Sequence, residues 1–255
     1  MIDFITHIDT IYIVIPFISF VAFYLKAITG TGTGTVVVSL SSFFIDPKLS
    51  VVLASLINIV GGFSMIRIDP VPLAREYWLP VAASMTAGSV LGASALRYIP
   101  PHYFQLILGA AFLMASLWFL TRSVQAETGL VRVKHKASML DNVTGVVAGF
   151  CGGFVGVNAP ILILHFSRDL DKRHLRRLLV IIFIPAAIGY TTTFALNGLL
   201  EVKVLICALL MLPTMGLGIY CGNLSFTKIS EAAFRRILAV FLITASLRLI
   251  WKTIF

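Results

Sequence analysis

Two glycine-rich segments, each inside an apolar run too long for one membrane-spanning helix, constrain the fold of this chain more than any other feature. The first, GTGTGT at 30–35, lies in the run 10–45, whose only charged side chain is Lys26. The second, GGFVGVN at 152–158, lies in the uncharged run 142–167. About 20 apolar residues are enough to cross a bilayer as a helix. Each run is therefore predicted to be a broken helical element.

The composition places the chain in a membrane. Of its 255 residues, 58% are hydrophobic and only 12% are charged, and the mean hydropathy is +0.97. Soluble domains carry about 25% charged residues, so a soluble fold is disfavoured. We predict an all-α, multi-pass protein of the cell (cytoplasmic or inner) membrane, with the lipid bilayer as its partner. The other apolar runs cover 49–66, 77–96, 103–121, 178–200, 204–227 and 237–251.

The net charge of +9 arises from short basic loops, which argues for a membrane protein and against nucleic-acid binding. The two most basic loops are 122–138 and 168–177. If each broken element crossed the membrane once, these loops would lie on opposite faces, against the positive-inside rule. If each broken element is a re-entrant hairpin, both loops are cytoplasmic. The second topology is predicted, with Arg67, Arg75 and Lys228 also cytoplasmic and Lys48, Arg97, Lys203, Arg248 and Lys252 outside.

The two halves of the chain resemble each other at an offset of 130 residues. We predict one membrane domain over 1–255, with repeat one at about 11–121, the cytoplasmic loop at about 122–138 and repeat two at about 139–253. Each repeat is a re-entrant hairpin followed by three transmembrane helices, so the two repeats are inverted. The matching pairs are Gly88/Gly218, Gly92/Gly222, Ile99/Ile229, Phe104/Phe234, Ile107/Ile237 and Leu108/Leu238.

The two breaks are predicted to meet near the bilayer midplane and to bind a small anion. Each break exposes the N-terminus of a half-helix, where free N–H groups and the helix dipole favour negative charge. Two other interpretations stay open: small residues also serve close helix packing, and Lys26 could reach the membrane surface. Asn58 could line the cavity or join two helices. The predicted binding residues are Lys26, Gly30, Thr31, Gly32, Thr33, Gly34, Thr35, Gly152, Gly153, Gly156, Val157 and Asn158.

No catalytic or metal-binding pattern accompanies these breaks, and neither enzyme activity nor a cofactor is predicted. HExxH, GxSxG and paired histidines are absent from the sequence, and no acidic residue falls in the middle of a predicted span. Coupling through a buried carboxylate is therefore disfavoured. Facilitated diffusion, or coupling through backbone oxygens, stays open.

At these residues the chain resembles the sulfite exporter TauE/SafE family of membrane permeases. The family motif is a glycine cluster of the form GxGGG, followed a few residues later by proline. In the first copy Ser39 occupies the proline position. The second copy ends in Pro160, and Val157-Asn158 interrupts its glycine cluster. The resemblance covers nearly the whole chain and implies transport of small sulfur-containing anions, such as sulfite or organosulfonates, across a prokaryotic cytoplasmic membrane.

Rival functions share the same architecture. An anion channel would use the breaks as a filter, and a carrier could take a non-sulfur organic anion such as a carboxylate. An intramembrane enzyme or an assembly subunit is a further alternative. Direction of transport, coupling ion and oligomeric state, a homodimer included, stay open at this stage.

Overall fold

The computed structural model describes residues 2–29, 32–66, 71–121, 136–225 and 231–254, and in these ranges the regular structure is helical throughout. The helices are α1 (Ile2–Thr29), α2 (Thr33–Ser41), α3 (Pro47–Met65), α4 (Arg75–Tyr98), α5 (Pro101–Thr121), α6 (Met139–Val155), α7 (Ala159–Phe166), α8 (Lys172–Leu196), α9 (Val202–Ser225) and α10 (Glu231–Ile254). The prediction of an all-α fold is confirmed.

Four helices of the described part are long and apolar enough to cross a membrane. They are α3, α4, α8 from Arg173 onward, and α9. Shorter apolar stretches occur at Ile13–Ile28, Met139–Val155 and Leu242–Trp251. Many large apolar side chains on these helices face outward, as a lipid environment permits. The architecture is that of a multi-pass membrane protein.

Both over-long apolar runs are broken at glycine. The first break separates α1 from α2, and Gly32 caps α2 with φ 91°. The second separates α6 from α7, and Gly156 ends α6 with φ 75°. Left-handed backbone is strained for a residue with a Cβ, costing roughly 1–2 kcal/mol, whereas glycine adopts it freely. The local backbone geometry therefore explains why glycine occupies these two positions.

The chain reverses direction at the second break. Asp141 lies in the first turn of α6 and His165 in the last turn of α7, yet His165 Nε2 is 2.6 Å from Asp141 Oδ1. Asp141 is fully buried and also forms a capping box with Ser138. The start and the end of the broken element therefore lie side by side, as a re-entrant hairpin requires.

Two pairs of glycines let helices approach backbone to backbone. Gly88 and Gly92 join α4 to α6, and Gly218 and Gly222, which match them at an offset of 130 residues, join α9 to α1. In both contacts the two helices run in the same direction. A Cβ atom would lie 2.1 Å from Val146 O at Gly88, 2.2 Å from Phe150 O at Gly92, 2.6 Å from Phe20 O at Gly218 and 2.5 Å from Tyr24 O at Gly222. The two halves thus use equivalent helix contacts, and their relation as inverted repeats stays a prediction.

The first break also reverses the chain. Because α1 runs parallel to α9, it begins at the end of the bundle where α9 begins. The segment after α2 reaches that same end, since Phe43 shares a cavity of about 340 Å³ with Lys203 of α9 and Arg248 of α10. Arg248 donates to the carbonyl of Phe43 at 2.9 Å. The α1–α2 element therefore starts and finishes at the same end of the helix bundle.

The basic side chains sort into two ends of the bundle. At one end Lys48 donates to the carbonyl of Ile99. At the other, Arg176 donates to Asn223 Oδ1 at 2.7 Å. This grouping agrees with the predicted topology, although the cytoplasmic assignment of the second end stays a prediction. The structure does not describe the predicted cytoplasmic residues Arg67 and Lys228 or residues 122–135 of the basic loop. It also does not describe the side chain of the predicted outside residue Lys252.

Removing the Asp141 carboxylate should destabilise the α6–α7 hairpin. Asp141→Ala removes half of the capping box and leaves the partly buried His165 without its partner, so we expect a loss of about 2–3 kcal/mol in unfolding free energy. Ser138→Ala removes the cap hydroxyl alone and should lose only about 1 kcal/mol. Thermal unfolding in detergent measures both. Equal losses in the two variants would show that the His165 contact contributes nothing.

Candidate substrate-binding site

The two breaks touch each other in the interior of the bundle. A Cβ atom on Gly34, in the first turn of α2, would lie 2.9 Å from the carbonyl oxygen of Gly156. The hydroxyl of Thr35 lies 3.5 Å from the same oxygen. Backbone contact this close is possible only where one residue has no side chain. The structure therefore brings together two segments that are 122 residues apart in the sequence, as predicted from the glycine clusters.

A small cavity lies between the breaks. Its volume of about 20 Å³ corresponds to roughly one or two water molecules. Seven of the predicted binding residues line it: Lys26, Gly32, Thr33, Gly34, Gly152, Gly156 and Asn158. The remaining lining residues are Val51, Ala54, Ser55 and Asn58 of α3 and Phe183 and Tyr190 of α8.

Two helix N-termini face this cavity without a side-chain cap. The N-cap residue of α2 is Gly32, which has no side chain to offer. The N-cap residue of α7 is Asn158, whose side chain makes no capping hydrogen bond. The first N–H groups of a helix have no acceptor within the helix, and the dipole adds partial positive charge there. The cavity is thus an environment for negative charge.

Lys26 adds an amino group, able to carry a full positive charge, beside the helix ends. Only 2% of its surface is exposed, so the side chain does not reach the membrane surface. Its Nζ donates to Asn58 Oδ1 at 3.1 Å and lies 5.4 Å from the centre of the Phe23 ring. Among the described residues, Lys26 forms no ion pair. A buried ammonium without a carboxylate calls for another counter-charge.

Thr33 supplies an unused hydrogen-bonding group. Its side chain is 2% exposed and lines the cavity, yet its Oγ1 has no hydrogen-bond partner among the described residues. Buried hydroxyls are normally paired, because an unsatisfied one costs about 1–3 kcal/mol. This hydroxyl is the kind of group that a bound ligand would satisfy.

Three predicted binding residues serve other contacts instead of lining the cavity. Thr35 bonds to the second break, and Gly153 packs on the backbone of α4, where a Cβ would meet Ser89 O at 2.2 Å. Val157 lines a separate apolar cavity that also contains Cys151. Gly30 and Thr31 lie outside the described residues. The packing interpretation of the glycines thus holds for Gly153, while Gly34 and Gly156 join the breaks.

The polar lining residues outside the predicted binding set are Ser55, Asn58 and Tyr190, of which Asn58 was considered as a possible lining residue. Asn58 accepts from Lys26 at 3.1 Å, and Tyr190 lines the same cavity. They come from α3 and α8, the helices that follow the two broken elements. Because α3 and α8 hold equivalent positions in the two halves, the sequence marked both helices as candidates to line the cavity. The sequence of an apolar span does not show, however, which way a single tyrosine in it faces.

The architecture and the paired breaks define a class: a multi-pass helical membrane transporter whose interior holds two re-entrant hairpins. The chain matches the sulfite exporter TauE/SafE family over residues 15–249 and belongs to that family. A relative in Cupriavidus necator, described as a probable sulfite/organosulfonate exporter TauE, is 26% identical over 222 residues, which cover 84% of each chain. No solved structure matches the chain significantly. The predicted family resemblance is confirmed.

Proposed function

We propose that this protein carries a small sulfur-containing oxyanion, sulfite or an organosulfonate, across the cytoplasmic membrane. The anion binds between the two breaks and is exposed to each face in turn as the hairpins move apart. One observation carries the proposal: buried Lys26, the unpaired hydroxyl of Thr33 and two uncapped helix N-termini all face one cavity. The family and the name of the Cupriavidus relative support the sulfur chemistry.

The arrangement of donors suits a group with three oxygens. The cavity is lined by donor-bearing residues from three elements: the start of α2, Asn158 before α7 and Lys26 of α1. Sulfite and sulfonates present three oxygens around sulfur, whereas a carboxylate presents two. Each charge-assisted hydrogen bond is worth about 1.5–3 kcal/mol, so one lost donor lowers affinity by about tenfold or more. This favours the sulfur anion over a carboxylate of similar size.

The size of the cavity favours a carrier over a channel. At about 20 Å³ it has no room for the proposed anion, so the lining must move before the anion enters. A conducting pore needs an open path, whereas a carrier passes through states in which the site is closed. A cavity this small is what a closed state of the proposed cycle would have.

Counterflow in liposomes tests this proposal. Purified protein in vesicles preloaded with unlabelled sulfite should accumulate external labelled sulfite transiently, and the rate should saturate with concentration. Labelled acetate should exchange at least about tenfold more slowly, because it lacks the third oxygen. Protein-free vesicles are the control. A current proportional to voltage without counterflow would indicate a channel, and faster acetate exchange would indicate a carboxylate carrier.

A further inference from the structure

The lysine at the site has no acidic group near it in the described structure. Helix α1 packs against α2 and α9, its side chains Lys26 and Phe23 contact α3, and α8 also contributes to the cavity. None of these four helices contains an aspartate or a glutamate. The groups that face the Lys26 ammonium are the Asn58 amide, the Phe23 ring, Tyr190 and Thr33. The aspartates of α1 itself, Asp3 and Asp9, precede Lys26 by 17 residues or more. Helix α2 has no titratable side chain and α3 has Lys48. The titratable side chains of the other two helices are Lys203, Cys207, Tyr220 and Cys221 in α9 and Lys172, Arg173, His174, Arg176, Arg177 and Tyr190 in α8.

An ammonium in this position is stable only while an anion is bound. Moving an isolated charge from water into a protein interior carries a large free-energy penalty, which one neutral amide and one aromatic ring offset only in part. A neutral amine fits the empty, closed site without this penalty. When an anion arrives, the ammonium becomes its direct counter-charge. Occupancy of the site and protonation of Lys26 are therefore linked.

From this geometry we infer that Lys26 carries one proton with each anion, so that transport is proton-coupled symport. The inference rests on the proposed function. The amine Nζ accepts a proton from solvent as the anion enters, forming an N–H bond, and the neutral ion pair crosses the closed state. On the other face the anion leaves and the N–H bond breaks, returning the proton to solvent. One anion and one proton have then moved in the same direction, and the empty carrier returns uncharged.

The test uses a sulfonate that cannot itself carry a proton. Methanesulfonate is the anion of a strong acid and stays ionised at neutral pH. Wild-type protein in liposomes containing a pH-sensitive dye should acidify the lumen by one proton per labelled methanesulfonate taken up. The rate should not respond to a potassium diffusion potential set with valinomycin, because the coupled step moves no net charge.

Two results separate the coupling from the proposed function. Methanesulfonate uptake without acidification, accelerated by a potential positive inside, would overturn the coupling and leave the transporter intact. Failure of wild-type protein to move sulfite or any sulfonate would overturn the proposed function itself, and the coupling with it.

Lys26→Arg assigns the proton to this side chain. A guanidinium keeps its charge and does not release a proton in proteins, so labelled methanesulfonate should still exchange, at a reduced rate, while proton movement is lost. Lys136→Gln changes an exposed lysine in the loop before α6 and should keep one proton per anion. A Lys26→Arg protein that still moved one proton per anion would overturn the inference, because another group would then carry it.

Discussion

Replacing Lys26 by methionine is expected to lower the rate of anion transport by at least about 30-fold while leaving the folded protein as stable as wild type or more so. Removing one partner of a buried, hydrogen-bonded charge pair weakens binding by about 2–5 kcal/mol, which corresponds to roughly 30-fold to several thousand-fold. Stability should change in the other direction. An amine is costly to bury whether neutral or charged, and replacing buried polar or ionic groups by apolar side chains of similar size is often neutral or stabilising, at most by about 1–4 kcal/mol.

The opposite signs make this prediction informative. Lys26 is almost fully buried beside Phe23, and its only direct polar partner in the described structure is Asn58. Methionine fills the same space and leaves Asn58 Oδ1 without a donor, a loss of about 1 kcal/mol that limits the gain. Initial rates in liposomes and thermal unfolding in detergent measure the two quantities. Lys136→Met is the matched control, since that lysine is exposed.

A stability loss that parallels the loss of transport would contradict this account. It would mean that Lys26 holds the fold together through the amide of Asn58, and the binding role would have no support. Retained transport in the methionine variant would contradict the account more directly, because no other cation lines the cavity within the described residues.

Substitutions that separate the two breaks form the second large prediction. Gly156→Val should abolish transport, with a loss of at least about 100-fold. A valine there must adopt φ near 75° and its Cβ would lie 2.7 Å from Val38 Cγ2. A β-branched residue in that region is strained by about 1–3 kcal/mol, so the break must change shape. Initial transport rates at matched protein content in the vesicles give the measurement.

Three alanine substitutions separate steric contact from backbone conformation. Gly34→Ala keeps an ordinary helical backbone but places a Cβ 2.9 Å from Gly156 O, so it should reduce transport by about tenfold or more through the contact alone. Gly32→Ala meets no atom within 4 Å but must hold φ at 91°, so it tests backbone strain alone. Gly216→Ala in α9 meets nothing within 4 Å at an ordinary backbone conformation, and is the control.

The interpretation of the glycines as packing residues makes a different forecast. Gly88→Ala places a Cβ 2.1 Å from Val146 O and should lower the stability of the α4–α6 pair before it affects transport. If Gly34→Ala behaved in the same way, with lost stability and unchanged transport per folded molecule, the first break would be a packing contact and not part of a binding site.

Much of this architecture follows from the order of residues, because membrane insertion imposes simple rules on it. Apolar runs too long for one span must break, and glycine is the residue at which they do: Gly32 and Gly156 both have positive φ. The arrangement of basic loops predicted two hairpins, and the close approach of Asp141 and His165 agrees with one of them. Lys26, as a lone charge in an apolar run, was identifiable for the same reason.

The identity of the other lining residues depends on packing. Sequence alone placed Thr35, Gly153 and Val157 at the site, yet these contact Gly156, α4 and a separate apolar cavity. A residue one position along a helix points about 100° away, so neighbours in a glycine cluster face different partners. Asn58 and Tyr190 meet at the cavity because α3 and α8 cross there, and that crossing leaves no mark on either helix alone.

The order of residues thus determined that the chain is a multi-pass helical membrane protein with two broken elements and a lone lysine in the first of them, because the cost of unpaired backbone and of charge in lipid is local and can be read residue by residue. Tertiary structure decided that Gly34 meets Gly156, that Lys26 is held by Asn58, and that the Thr33 hydroxyl has no partner. These are relations between distant segments, and they depend on how helices cross and pack, which no local pattern specifies.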